Sequence, residues 1–331
     1  MKIRAISLIR VIRVIPEIRV FMKATVYKST GSWYTVKDEA GQWHNARMKG
    51  IFKIDSITST NPIAVGDEVE IDVEDKAENT AIITEIHPRK NYINRQSPRA
   101  KHQHHIVASN LDQSVLVATL KEPRTSQGFI DRFLVASEMF HVKAIVVFNK
   151  ADLFKKKEQE KFQEMKEMYE KAGYKVFLTS TRDNTGIEAL QEELKDKTTL
   201  ISGHSGVGKS SLLNIIFPEM NLKTQGISGW SGKGQHTTTF AEMFDLPPTG
   251  GGRIIDTPGM REFGLVDISK QEISHYFPEM RSRLNDCQFN NCLHVNEPGC
   301  AIKEAVINGE ISEDRYVSYV NIMESIEEKT Y

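Results

Sequence analysis

"VVFNKADL", Val146–Leu153, is an apolar run that ends on Asn149, Lys150 and Asp152. An apolar strand that delivers Asn-Lys-x-Asp to its carboxyl end is built to read a purine. The Asp152 carboxylate can accept from the N1–H and the exocyclic amine of guanine, donors that adenine does not present in that arrangement. Asn149 would brace the loop and touch the base, the Lys150 stem would cover the ring, and Ala151 is carried between them. Taken alone, the same tetrapeptide is also a common surface turn, so its meaning depends on what lies near it.

What lies near it, further along the chain, is "GHSGVGKSS", Gly203–Ser211. This is the pattern Gly, four residues, Gly-Lys-Ser, set between an expected strand and an expected helix. Gly203, Gly206 and Gly208 let the backbone bend so that the N–H groups of His204, Ser205, Val207 and their neighbours point inward at phosphates. The helix expected from Lys209 adds its positive end. Lys209 would reach the β- and γ-phosphates and the Ser210 hydroxyl would ligate Mg²⁺. Beyond it, "IIDTPGM", Ile254–Met260, puts Asp256 at a strand tip, where an acid can hold Mg²⁺ through water and the Gly259 N–H can meet the γ-phosphate. At the end of another strand, "TSTR" offers Ser180 and Thr181 for a backbone contact near the base.

The base reader therefore precedes the phosphate loop, the reverse of the usual order. In an open α/β sheet all these loops lie at the carboxyl ends of strands. Joining the old termini and cutting at an exposed loop leaves such a site intact, so the order implies a circular permutation.

From Leu111 onward strands alternate with helices: "SVLVATL", "GFIDRFLVASEMF", "KAIVVFN", "KEQEKFQEMKEMYEKAG", "KVFLTS", "IEALQEEL", "TTLISG", "KSSLLNIIF", "FAEMFDL" and "GRIIDT". This rhythm means right-handed crossovers and a mostly parallel sheet covered on both faces, an α/β domain. Before it, five short strands between Lys23 and His87 suit a small closed barrel of the OB type, with an SH3-like barrel as the alternative. "HPRKNYINRQSPRAKHQHH" between the two is basic and free of acids, and reads as a linker. The expected division is an N-terminal extension over 1–21, the barrel over 22–88, the linker over 89–108, the permuted domain over 109–265 and a helical metal-binding module over 266–331.

In that last module Cys287, Cys292, His294 and Cys300 follow Cys-x4-Cys-x-His-x5-Cys and use every cysteine of the chain. Three thiolates and an imidazole form a closed tetrahedral set for one structural Zn²⁺, with no position left for a catalytic water. Three clustered cysteines in a chain of this size favour a reducing cytoplasm over a disulfide framework. The formal net charge is −1 with 26% charged residues, which leaves nucleic-acid binding open. No run of 18 apolar residues marks a membrane span. The basic and apolar start, interrupted by Arg10, Arg13 and Glu17, lacks a signal-peptide cleavage site. A second Met at position 22 opens the first barrel strand.

"SGKGQHTTTF", Ser231–Phe240, lies where a first switch belongs, and Thr238, ahead of Thr237, would ligate Mg²⁺. Met260 stands where Ras-type enzymes carry the Gln that orients water, and a thioether cannot do this. His236 is then the candidate catalytic residue, a structural role being the alternative. Intrinsic hydrolysis should accordingly be slow, on the order of 10⁻³ s⁻¹ or below. The segment after Asp256 leads into the cysteine module, Cys287 standing 31 positions on, so loss of the γ-phosphate should move that module. Trp33, Tyr34 and Trp43 are either RNA-stacking surfaces or barrel core.

The motifs "NKAD", "GHSGVGKSS", "GQHTTT", "DTPG" and the cysteine cluster, in this order over 22 to about 325, resemble the ribosome small subunit-dependent GTPase A family. The resemblance implies a circularly permuted Ras-like P-loop GTPase with an OB-fold before it and a zinc module after it. It implies a monomer that binds GTP and GDP with Mg²⁺, contacts the 30S subunit and 16S rRNA late in assembly, and couples subunit-stimulated hydrolysis to release. A nucleotide-gated RNA-binding module, with hydrolysis secondary, is the alternative reading.

Overall fold

Alternating burial along short strands builds the first unit of the computed structural model, which describes residues 21–48, 62–75, 77–97, 100–220, 241–247, 251–257, 265 and 268–326. Strands β1 (Phe21–Ser29), β2 (Tyr34–Asp38), β3 (Trp43–Met48), β4 (Glu68–Asp75) and β5 (Thr80–Ile86) send every second side chain inward. Val26, Val36, Ala46, Val69, Ile71, Ala81 and Ile83 meet in one apolar core. The pairings run β1–β2–β3–β5–β4 and return to β1, so the sheet closes on itself. That order settles the choice between barrels in favour of the OB type. Tyr34 is core, whereas Trp33 and Trp43 are 50% and 46% exposed, so the three aromatics divide between the two roles considered for them.

Part of the stretch read as a basic linker is ordered as an antiparallel hairpin of β6 (Tyr92–Ser97) and β7 (Ala100–Ser109). Ile93, Ile106, Val107 and Ala108 are buried, and Val65 bridges to Ala108. With so many lysines, arginines and histidines between them, that pattern is invisible in the sequence.

The second sheet runs β10 (Lys175–Leu178), β9 (Lys143–Phe148), β8 (Gln113–Ala118), β11 (Thr198–Ser202), β13 (Arg253–Asp256), β12 (Glu242–Asp245), all parallel except β12. Strands β8 and β9 are apolar on both faces because helices cover both. Leu116, Ala118, Val146 and Phe148 face α1 (Gln127–Met139) and α2 (Lys156–Lys171). Val115, Val117, Ile145 and Val147 face α3 (Ile187–Leu194) and α4 (Lys209–Ile216). Each helix offers a stripe at helical spacing, as with Ile187, Leu190 and Leu194.

The barrel joins this sheet edge to edge. Lys28 of β1 pairs with Glu242 of β12, and the Tyr27 hydroxyl and Lys37 ammonium both donate to Asp245 at the end of β12. Trp43 stands edge-on against Tyr27 at 4.8 Å.

The last unit holds α5 (Pro278–Arg281), α6 (Ala301–Ile307) and α7 (Glu313–Glu324) around Ile273, Phe277, Ile302, Tyr319 and Ile322. Arg315 of α7 is 1% exposed and donates at 2.6 Å to Asp131 of α1 and at 2.7 Å to Glu279 of α5, with the Phe277 ring 4.5 Å from its guanidinium carbon. Burial alone would disfavour its charge, but the two carboxylates hold it protonated well above the ordinary arginine range. Tyr169 of α2 donates to the same Asp131 oxygen. Among the described residues no helix is long and apolar enough to cross a membrane. Arg315→Ala strands the buried Asp131 and the partly buried Glu279 carboxylates and should cost about 3–5 kcal/mol of unfolding free energy, read from the urea midpoint.

Candidate functional site

Three loops converge at the carboxyl edge of the parallel strands, and one amide holds them in place. Asn149, 1% exposed, follows β9 directly. Its Nδ2 donates to the Val207 carbonyl at 2.9 Å and its Oδ1 accepts from Thr179 Oγ1 at 3.1 Å. The Asn149–Asp152 tetrapeptide is thereby fastened to the glycine loop on one side and to the "TSTR" loop on the other. Two main-chain bonds complete the joint, Asn149 N–H to Ala118 and Ala151 N–H to Thr179. Lys150 takes a left-handed backbone, φ 64°, and its ammonium donates to the Glu122 carbonyl at 2.5 Å. Asp152 accepts from the Ser180 hydroxyl at 3.0 Å, so its carboxylate is already aimed. Ser180 thus offers a side-chain contact in addition to the backbone one expected of it. Thr181 follows it, and Arg182 N–H donates back to Ser180 Oγ.

The glycine loop bends where its sequence says it must. Gly203, Gly206 and Gly208 have φ of 144°, 83° and 95°. A Cβ on Gly208 would stand 2.6 Å from Asn149 Nδ2, and one on Gly203 would stand 2.3 Å from the Val117 carbonyl. Ser205 and Gly206 are exposed while Val207 is buried, which pins the loop from below. Helix α4 starts at Lys209, with Ser210 and Ser211 in its first turn. The Lys209 ammonium donates to its own loop at Gly203 O, 2.7 Å, and His204 O, 3.2 Å. Burial lowers its pKa, an effect the Asp256 carboxylate opposes. The His204 ring stacks on Phe129 of α1 at 3.9 Å, and burial, then Lys209, disfavour its protonation.

Asp256 ends β13, paired with Ile201 of β11 immediately below the glycine loop. Burial pushes its carboxyl above the usual range against the pull of Lys209, and its Oδ1 has no hydrogen-bond partner among the described residues. A buried, unsatisfied acceptor facing a lysine is what a divalent cation would satisfy, so Asp256 fits as one ligand of a Mg²⁺ ion. His236, Thr238 and Gly259, with Met260, lie outside the described residues.

The metal candidates come together as a cage. The donor atoms of Cys287, Cys292, His294 and Cys300 all lie within 4.8 Å of one another, and none of the four residues is more than 9% exposed. His294 Nδ1 is 3.6 Å from Cys287 Sγ and 3.4 Å from Cys300 Sγ. Burial and the neighbouring Cys300 push the Cys292 thiol up to about 12, opposed by the His294 backbone N–H. Three sulfur atoms and one imidazole nitrogen gathered this closely form a donor set that fits a tetrahedral metal. The loop that carries His294 is held from outside. Glu297 accepts the N–H groups of Leu293, Val295 and Asn296, while Tyr319 and Tyr316 donate to the carbonyls of Leu293 and His294.

Two features escaped the sequence reading. The loop over 120–125 and the Phe129 stack carry no motif, and only proximity reveals them. Asn149→Ala leaves Val207 O and Thr179 Oγ1 unpaired and should cost about 1–3 kcal/mol by denaturant unfolding. A metal-free sample should lose the near-ultraviolet dichroism of Tyr316 and Tyr319 and the helicity around the cage while the barrel stays folded. An unchanged spectrum would refute the metal assignment.

With this geometry in view, the chain can be compared with known proteins. A family model described as RsgA GTPase matches residues 86–266 and one described as RsgA N-terminal domain matches 23–83. The small ribosomal subunit biogenesis GTPase RsgA of Christiangramia forsetii is 49% identical over 308 residues, 93% of this chain and 97% of that protein. A relative of the same description from Bacteroides thetaiotaomicron, RsgA 2, is 48% identical over 94% of this chain and 99% of its own length. Among solved structures, YjeQ from Thermotoga maritima superposes with a TM-score of 0.74 at 36% identity, covering 92% of this chain and 98% of that one. YloQ, described as a circularly permuted GTPase, gives 0.70 at 31% identity, covering 94% and 98%. Sheet order, loop order and these likenesses agree, and the chain belongs to the RsgA GTPase family.

Proposed function

We propose that this chain hydrolyses GTP to GDP and phosphate in the service of small ribosomal subunit maturation, with the subunit as the stimulus for hydrolysis and hydrolysis coupled to release. The observation that carries the proposal is the Asn149 bracket, which holds the Asn149–Asp152 loop against the glycine loop on one edge of one sheet, as a guanine nucleotide would require. On this reading Asp152, aimed by Ser180, accepts the two guanine donors, and Asn149, Lys150, Ala151 and Thr181 line the base. Residues Gly203 to Ser211 enclose the phosphates. Lys209 exchanges the Gly203 and His204 carbonyls for β- and γ-phosphate oxygens, an exchange of equal hydrogen-bond number that favours the charged partner. Ser210 and Asp256, with Thr238, hold Mg²⁺, which when bound neutralises charge on the β- and γ-phosphates. Gly259 meets the γ-phosphate and His236 positions the attacking water.

The cysteine cage takes one structural Zn²⁺. The chain divides functionally as an extension over 1–21, a barrel over 22–88, a connecting stretch over 89–108, a GTPase domain over 109–265 and the zinc module over 266–331. It acts as a cytoplasmic monomer on 16S rRNA within the 30S particle. Exposed Trp33 and Trp43 supply stacking surface on the barrel.

Turnover of GTP and of ATP, each measured with and without purified 30S subunits, tests the proposal. GTP hydrolysis should be slow alone and rise strongly with subunits, and ATP should remain unused. Subunit binding without stimulation would select instead a nucleotide-gated RNA-binding module, the reading that the thioether at Met260 favours.

A further inference from the structure

A short loop that no nucleotide-binding motif includes lies against both halves of the candidate nucleotide site. It leaves the carboxyl end of β8 and spans Leu120–Thr125 before Ser126 caps α1, its Oγ accepting from Phe129 N–H at 3.3 Å. Its neck is tied by buried threonines. Thr125 N–H donates to the Thr119 carbonyl at 2.8 Å, Thr119 N–H donates to Thr125 Oγ1 at 3.1 Å, and the Thr119 hydroxyl donates across the loop to the Pro123 carbonyl. Thr119 and Thr125 are almost wholly buried, whereas Glu122, Pro123 and Arg124 at the tip are exposed. The loop is therefore rigid at its base and presented at its end.

The tip makes two contacts that matter. The Glu122 carbonyl accepts the Lys150 ammonium at 2.5 Å. The Pro123 ring lies beside Gly206 in the middle of the glycine loop, with its Cδ 3.6 Å from where a Cβ on that glycine would be. An element that touches the lysine over the base and the glycine under the phosphates must pass beside the part of the nucleotide between them, the ribose and the α-phosphate.

We infer that the Leu120–Thr125 loop is a positioning element of the nucleotide site: its Glu122 carbonyl anchors the Lys150 ammonium so that the lysine stem lies across the purine, and its Pro123 ring walls the ribose side. The physical reason is entropic. A free lysine side chain loses rotamer freedom when it is laid over a ring, whereas one already held at its far end has lost it before the nucleotide arrives. Because the anchor is a main-chain carbonyl, it holds only while the threonine neck holds the loop. This inference rests on the nucleotide reading above, and the test separates the two.

GDP affinity is measured by calorimetry for the full chain and for Thr125→Val, Thr125→Ser, Lys150→Met and the Thr125→Val/Lys150→Met double variant. Methionine keeps the apolar stem of Lys150 and removes the ammonium, and serine keeps the hydroxyl acceptor of the neck. Thr125→Val and Lys150→Met should each weaken GDP binding by about tenfold, the upper range for ordering one long side chain on binding. The double variant should bind no worse than the weaker single one, and Thr125→Ser should bind like the parent. Losses that multiply in the double variant would overturn the inference, because uncoupled sites add in free energy. So would a Thr125→Val protein that binds GDP normally. If Thr125→Val unfolds the chain, Thr119→Val, which removes the neck hydroxyl that donates to the Pro123 carbonyl, replaces it in the same cycle with the same expectation. A parent chain that binds no GDP would instead remove the nucleotide reading itself.

Discussion

Everything at the carboxyl edge of the parallel sheet depends on one buried amide. Asn149 gives a hydrogen bond to the glycine loop and takes one from the Thr179 loop, and no apolar side chain of similar size could do both. Its cost is that it can only be satisfied in one arrangement of three loops. That is also its value, since a partly satisfied buried amide is penalised and the alternatives are excluded. The spacing between the Asp152 loop and the glycine loop follows from this joint. Chain connectivity plays no part in it, which is why a permuted order leaves the edge intact.

Permutation changes what is attached to the site. The barrel meets the sheet at β12, the strand that follows the residues expected to form the first switch, through Lys28, Tyr27 and Lys37 on Glu242 and Asp245. The helical module is attached in two ways. It follows the segment after Asp256 in the chain, and Arg315 clasps it to Asp131 on α1, the helix whose Phe129 stacks on His204 of the glycine loop. A nucleotide-dependent movement of that module therefore works against a buried ion cluster and must either carry α1 with it or pivot about Arg315.

Local signals were the legible ones. Strand and helix positions in the permuted domain followed from apolar runs and from stripes such as Ile187, Leu190 and Leu194, because burial on both faces of a sheet leaves little choice of residue. The hairpin over 92–109 did not, since Ile93, Ile106 and Ala108 are too few among the basic residues to betray a strand. Likewise, nothing in Trp33, Tyr34 and Trp43 distinguishes core from surface until the register of β2 turns Tyr34 inward. Arg315 belongs to no motif in the sequence. Its burial is a property of what α7 packs against.

By itself the amino-acid sequence determined the chemistry available: a glycine loop that must bend, a lysine and a serine at a helix start, a carboxylate after Asn-Lys, and three thiols with one imidazole at ligating distance along the chain. These are properties of residue type and short spacing, and they hold in any context that folds. The tertiary structure decided which groups meet: Asn149 with Val207, Ser180 with Asp152, Glu122 with Lys150, Arg315 with Asp131. Such pairs lie tens to nearly two hundred positions apart, and a hydrogen bond between them depends on ångström-scale placement that only the packed sheet and its helices supply.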